Sequence, residues 1–300
     1  MSDVRVLVLR AAGINCDEET MHCWRLAGAS PTLMHINGLV ESPSMLGEYS
    51  IVTIPGGFSY GDDLGAGTIL AQRILQTVCD PLREFVDRGG GVLGICNGFQ
   101  VLVKMGLLPG GDFGRDQVTV TYNDSARFEA RWVRLEVATD LCPFLPQQSR
   151  DREGAGNAEV QNSKFKVRRD GPADLDIRSS ILELPVEHAE GKVVTASDTI
   201  ARRLLESGQV ALRYVDAEGN HDQYPANPNG SVLGIAGLCD PTGRIFGLMP
   251  HPDRHFDHTQ HPTWTRRQAV DKPDGLTIFA NAVTHWSKNS KLEAQSSKSR

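Results

Sequence analysis

Residues 92–98 read Val-Leu-Gly-Ile-Cys-Asn-Gly, an apolar run that ends in a G-x-C-x-G turn, and the chain behind it is helical in its spacing. This is the cysteine form of a nucleophile elbow. The turn from strand to helix is so tight that the residues two before and two after the nucleophile must be small, and here they are Gly94 and Gly98. Cys96 is therefore expected at the C-terminal end of a strand, facing the first turn of the next helix. Unpaired N–H groups and the helix dipole there favour a thiolate, the form that attacks. The chemistry implied is cysteine-dependent acyl transfer.

A cysteine nucleophile needs a base, and the base an orienting carboxylate. The best candidates lie 155 residues downstream, in Gly247-Leu-Met-Pro-His-Pro-Asp-Arg254. Pro252 pushes His251 into extended backbone, and Pro250 restricts Met249 likewise. Side chains two apart in extended chain point the same way, so His251 and Asp253 are expected to project together, the imidazole toward Cys96 and the carboxylate behind it. The plain alternative is a solvent-facing loop histidine. An oxyanion hole is also required. The N–H of Asn97 is one candidate donor, and the Gly56-Gly57-Phe58 turn is the candidate for a second. The competing reading is that Pro55-Gly56-Gly57 only closes a strand–helix turn. Neither G-x-G-x-x-G nor a P-loop pattern is present there, so a nucleotide loop fits less well.

Two further clusters carry ligand-type side chains. His251-Pro-Asp-Arg-His255-Phe-Asp257-His258-Thr-Gln-His261 matches no usual zinc spacing and is read as a polar loop beside the catalytic histidine, with no metal expected. Cys16, in Gly13-Ile-Asn15-Cys16-Asp17, shares a sheet edge with Cys96 but lacks the flanking glycine pair. Asn15 and Asp17 are favoured as helix caps over Cys16 as a second nucleophile.

The elements that must position these groups alternate. Strands are expected at residues 4–10, 31–36, 49–54 and 92–95. Helical spacing covers about 17–26, then 64–88 with a break at Pro81, then 99–105. That alternation argues for an α/β fold, a doubly wound, mainly parallel sheet whose ligands sit at the C-terminal strand ends. After Gly106 the pattern turns antiparallel: 118–122, 128–137, 209–215, 232–238 and 244–249. Residues 146–180 read as a charged, flexible surface insertion and 288–300 as a solvated tail. A final helix is expected at 276–286, closing a single domain of residues 1–286.

Composition narrows the class. A formal net charge of −6 argues against nucleic-acid or membrane-surface partners, and no stretch approaches the length of a membrane span. No signal-peptide pattern opens the chain, and six scattered cysteines without a C-x-x-C pair read as reduced thiols in a cytoplasm.

Gly94-Ile-Cys96-Asn-Gly-Phe-Gln100 with Met249-Pro-His251-Pro-Asp253-Arg resembles the class I, triad-type glutamine amidotransferases. Within that class, the run from Pro55 through Asp63 to Gly67, with Gly13–Asp17, His188-Ala-Glu-Gly-Lys192 and Asn227-Pro-Asn-Gly-Ser231, resembles the glutaminase subunits of phosphoribosylformylglycinamidine synthases. The resemblance spans residues 4–254 and implies a flavodoxin-like sheet with helices on both faces and an antiparallel extension. It implies that Cys96 attacks the side-chain amide of glutamine, that His251 moves the protons, and that Gln100 and Gly56–Phe58 line the glutamine pocket. It implies no cofactor on this chain, with ATP and Mg used by a larger synthetase subunit that receives the ammonia; a third small subunit stays open. His188 falls in a motif expected near the partner or the pocket mouth, with no role assigned. Two departures stand out: Asp253 replaces the usual glutamate, one methylene shorter, and the chain is longer than is general for stand-alone versions, in 146–180 and after Arg254. The alternatives are an amidotransferase subunit of another synthase, a related cysteine hydrolase, or a scaffold with a vestigial site.

Overall fold

The computed structural model describes residues 4–147, 181–268 and 272–298, the last ten of these as backbone only. Most of the expected insertion at 146–180 lies outside the described residues. The elements run β1 (Arg5–Arg10), α1 (Asp17–Leu26), β2 (Ser30–His35), α2 (Ile36–Glu41), β3 (Ile51–Ile54), α3 (Thr68–Thr77), α4 (Cys79–Asp87), β4 (Gly91–Ile95) and α5 (Asn97–Met105). They continue with β5 (Val118–Thr121), β6 (Glu129–Val137), β7 (Ile181–His188), β8 (Lys192–Thr195), α6 (Asp198–Glu206), β9 (Val210–Tyr214), β10 (Ile235–Cys239), β11 (Ile245–Leu248) and α7 (Asp274–Lys298).

Nine strands form one sheet in the order β2-β1-β3-β4-β11-β10-β9-β6-β7, and β5 pairs with β8 apart from it. The first five in that order are mutually parallel; the rest alternate. The central strands β3, β4, β11 and β10 are buried at every residue, as continuous apolar runs should be when helices cover both faces. Both faces are covered. A Cβ at Gly91 would strike Trp286 of α7, and one at Gly94 would strike Leu102 of α5. Positions three apart on a strand point to opposite sides. The doubly wound α/β expectation with an antiparallel extension therefore describes the sheet.

Several local expectations change. The break in 64–88 falls at Val78, not Pro81, because Pro81 sits in the first turn of α4, where its missing N–H has no intrahelical partner to lose. Segment 244–249 is antiparallel to β10 but parallel to β4, so it joins the two halves of the sheet. Segment 118–122 belongs to the separate ribbon. The final helix continues past residue 286 to Lys298, through the stretch expected as a tail; Lys291-Leu-Glu-Ala-Gln295 is made of good helix formers. Strands β7 and β8 and helices α2 and α6 were not foreseen.

Candidate active site

Register alone brings the two halves of the site together. Leu248 on β11 lies opposite Ile95 on β4, and the Cys96 N–H donates to the Leu248 carbonyl at 2.8 Å. Cys96 thus stands one residue past its strand and His251 three past the neighbouring one, at the same sheet edge. The elbow holds Cys96 at φ 49° and ψ −103°, a conformation that costs energy for a non-glycine residue and persists only where packing imposes it. The packing is tight: a Cβ at Gly98 would lie 1.9 Å from the Ile54 carbonyl oxygen. Behind Cys96, α5 begins at Asn97 with no acidic residue in its first turn, so the free N–H groups there face the thiol uncompensated.

His251 is 2 % exposed and Asp253 fully buried, and Nδ1 of the imidazole lies 3.2 Å from Oδ1 of Asp253. The expectation that extended chain aligns the pair holds only for His251. Pro252–Arg254 is a 3₁₀ turn, and it is this turn that folds Asp253 back onto the ring. The second carboxylate oxygen accepts from Thr20 Oγ1 at 3.2 Å, tying the pair to α1. Nε2 of His251 is buried and has no protein partner among the described residues, leaving one nitrogen for chemistry. Burial alone would lower the proton affinity of this imidazole, but the charges of Cys96 and Asp253 outweigh it and hold His251 protonated well above its ordinary range. The shorter carboxylate therefore still reaches its histidine.

Gly56 is the spacer of the site. A Cβ there would lie 2.7 Å from Cε1 of His251 and 3.5 Å from Cβ of Cys96. Of the expected oxyanion donors, the Phe58 N–H is already given to the Gly13 carbonyl at 2.9 Å, which leaves the N–H groups of Gly57 and Asn97 without such a partner. The Phe58 side chain is half exposed at the rim. The Asn97 side chain accepts from the Ser59 N–H and donates to Asp62 and to Gln100 Oε1. Gln100 is buried, and its amide nitrogen donates to the Glu190 carbonyl. Its amide is thus engaged on both sides within the protein and braces the wall of the site.

The motifs at 188–192 and 227–231 interlock behind Cys96. Asn229 Nδ2 donates to the Gly191 carbonyl at 2.7 Å, and the Val193 N–H donates to Ser231 Oγ at 2.9 Å. Asn123 Oδ1 accepts from the Gly191 N–H at 3.0 Å and lies 3.1 Å from Nδ1 of His188. An acceptor oxygen there requires that Nδ1 of His188 carry the proton. Burial, reinforced by His251, pushes His188 down to about 3, so this imidazole is neutral with a bare, buried Nε2.

Sequence reasoning missed the neighbours supplied by β7 and α1. Cys96 Sγ lies 3.6 Å from the Glu187 carbonyl oxygen. The Glu187 carboxylate takes Arg254, whose guanidinium also lies 3.4 Å from Cys16 Sγ. Neither Asn15 nor Asp17 caps α1; Cys16 occupies that position, Asn15 Oδ1 accepts from its thiol, and Asp17 pairs with Arg10. Within 251–261, read from the sequence as a polar loop, His255 and His261 come together with ring centroids 5.8 Å apart. His255 and His261 stand edge-on to Trp132 and bond to Glu183, while His258 pairs with Asp257. Among the described residues, the metal-type donors that gather as a group of three are Cys16, His251 and Asp253, all within 4.8 Å of one another.

Comparison with known proteins follows the same lines. Residues 3–152 and 159–286 match the CobB/CobQ-like glutamine amidotransferase domain. The chain is 41 % identical over 285 residues to the phosphoribosylformylglycinamidine synthase subunit PurQ of Dehalococcoides mccartyi, covering 94 % of this chain and 98 % of that one. It is 35 % identical over 300 residues to the subunit of the same name from Archaeoglobus fulgidus, covering 95 % and 98 %. Among solved structures, a chain of PurLQS from Thermotoga maritima matches with a TM-score of 0.64 at 26 % identity, covering 95 % of this chain and 99 % of that chain. Coverage near completeness on both sides means that these relatives share the chain's length, and the family match running to residue 286 places the segment after Arg254 inside the domain.

Proposed function

The chain belongs to the CobB/CobQ-like glutamine amidotransferase family, and from that premise we propose that it is the glutaminase subunit of a phosphoribosylformylglycinamidine synthase. The observation that carries the reading is the parallel pairing of β11 with β4, which sets Cys96 and the His251–Asp253 pair side by side in a chain of which 94 % is matched by a subunit of such a synthase. Cys96 Sγ attacks the side-chain amide carbon of glutamine. The oxyanion that forms is held by the N–H groups of Asn97 and Gly57. His251, protonated at rest, gives its proton to the departing nitrogen as the C–N bond breaks, leaving ammonia and a glutamyl thioester on Cys96. Water then attacks the thioester with His251 as base, the C–S bond breaks, and glutamate leaves with the thiolate restored. Asp253 fixes the ring and stabilises its charge. The balance is one glutamine and one water to one glutamate and one ammonia.

Amide hydrolysis by this route calls for no cofactor on the chain. The ammonia passes to a larger synthetase subunit, where ATP and Mg serve the conversion of formylglycinamide ribonucleotide to its amidine, in de novo purine biosynthesis in the cytoplasm. A third small subunit in that assembly is open. No described helix is long and apolar enough to cross a membrane. The deciding experiment uses the complex of the chain with its synthetase. Cys96→Ala abolishes glutamine-dependent synthesis and leaves ammonia-dependent synthesis intact; loss of both, or of neither, would refute the reading.

A further inference from the structure

The sheet has a second end. Below β4 and β11, opposite the edge that carries Cys96 and His251, lies a cavity of about 590 Å³. Gly89, just ahead of β4, and Arg244, just ahead of β11, line it on one side, and α7 on the other. Its frame is fixed: Trp286 Nε1 on α7 donates to the Gly89 carbonyl at 2.9 Å, and Asn281 Nδ2 donates to the Phe144 carbonyl at 3.3 Å. Leu141, Pro143 and Leu145 form an apolar wall.

The charged lining is of one sign. Arg244, His285 and Lys288 all border the cavity, and among the described residues no aspartate or glutamate does. Neither Arg244 nor Lys288 makes an ion pair among the described residues, and Nε of Arg244 is buried without a hydrogen-bond partner. The acid nearest to Arg244 along the chain, Asp240, is committed to its own turn: one oxygen accepts from the Thr242 hydroxyl at 2.7 Å, the other from the Ile245 N–H at 2.8 Å. Burial, then Arg244 and Lys288, lower the proton affinity of His285, so the three groups already feel one another. Like charges gathered around a concave, half-apolar space cost free energy that an anion would recover.

We propose that this cavity binds a phosphorylated small molecule of nucleotide size, its phosphate between Arg244 and Lys288 and its body against the Leu141–Leu145 wall. A phosphate monoester matches the planar fork of arginine and carries enough charge for two cations. The volume lies in the range of small-molecule sites. This surface is separate from the glutamine chemistry, and the proposal stands or falls independently of it.

The test is calorimetric titration of the full-length chain with AMP, with adenosine and inorganic phosphate as controls. AMP is expected to saturate one site with a dissociation constant below about 1 mM, more tightly than inorganic phosphate, and adenosine to give no heat. Arg244→Gln and Lys288→Gln should each weaken AMP about tenfold, the loss expected for one charge-assisted contact, with melting temperature and reactivity of Cys96 unchanged. Failure of AMP to saturate would overturn the proposal. So would AMP binding that both substitutions leave untouched, adenosine binding as tightly as AMP, or inorganic phosphate matching AMP.

Discussion

Two buried cysteines flank His251, and only one of them, Cys96, stands on an elbow. Cys16 and Cys96 each follow a parallel strand, each opens a helix, and each lies against Gly56. The helices differ. The first turn of α1 carries Asp17, Glu18 and Glu19, whereas that of α5 carries no acid. These carboxylates work against the positive end of α1 that would otherwise favour a thiolate, although Asp17 and Glu18 are shared with Arg10 and Glu19 with Arg254. Burial raises the Cys16 thiol further, and its proton is directed at Asn15 Oδ1. The backbones differ as well: Cys96 is thrust forward at φ 49°, while Cys16 sits at an ordinary φ of −102°. On the reading proposed above, position at a strand end is not sufficient for nucleophilicity, and the first turn of the following helix and the elbow's backbone are what set Cys96 apart.

The largest effect should separate the two thiols. Cys96→Ala is expected to lower glutaminase turnover by at least about 10⁴-fold, and Cys16→Ser by less than about tenfold, or about 1.4 kcal/mol; comparable losses would erase the distinction. Next comes the support for the base they share. Asp253→Asn should cost about 10²–10⁴-fold in turnover, the range set by tautomer and charge in such triads. It should also show in stability. His251 holds its proton above the ordinary histidine range, so the stability it contributes is complete below about pH 6.5 and is lost as pH rises through its raised native value. In Asp253→Asn that loss should begin at lower pH, read by thermal melts across a pH series.

Gly56→Ala tests the space between the thiols. The new Cβ would meet Cε1 of His251 at 2.7 Å, and displacement of the imidazole should cost about 10²-fold in turnover with little change in glutamine affinity. The smallest effect concerns the carboxylates of α1. Replacing Glu18 and Glu19 by glutamine should raise the alkylation rate of Cys16 about two- to threefold, in line with a few tenths of a kcal/mol per helix-end charge. Peptide mass analysis after timed iodoacetamide exposure would report it, with Cys96 as internal standard.

The elbow, the His-Pro-Asp segment and the parallel half of the sheet were legible because each is local: Gly94 and Gly98 bracket Cys96, and β1, α1 and β4 show clean periods. What escaped is non-local. β7 follows the charged stretch and reads ambiguously, with Pro185 in its interior, yet it supplies the carbonyl of Glu187 at Cys96 and the carbonyl of Pro185 to the His251 N–H. Cys16 was placed at the right edge, but its contact with Arg254 spans 238 residues and leaves no local pattern. Gln100 illustrates the opposite limit: its place on α5 was legible, whereas the direction of its amide depended on Glu190 across the site.

The placement of β11 has a consequence for how the enzyme comes into being. The thiol and its base are separated by most of the chain, and the strand that unites them enters the sheet beside β4 only after β10 has been made. Contacts of such long sequence separation are slow to form, and on the ribosome the amino-terminal part emerges first. A growing chain that has completed α5 displays the elbow without its imidazole or its carboxylate. On the reading proposed above, the site is complete only once synthesis has passed Asp253, so the order of translation itself would withhold activity from unfinished molecules.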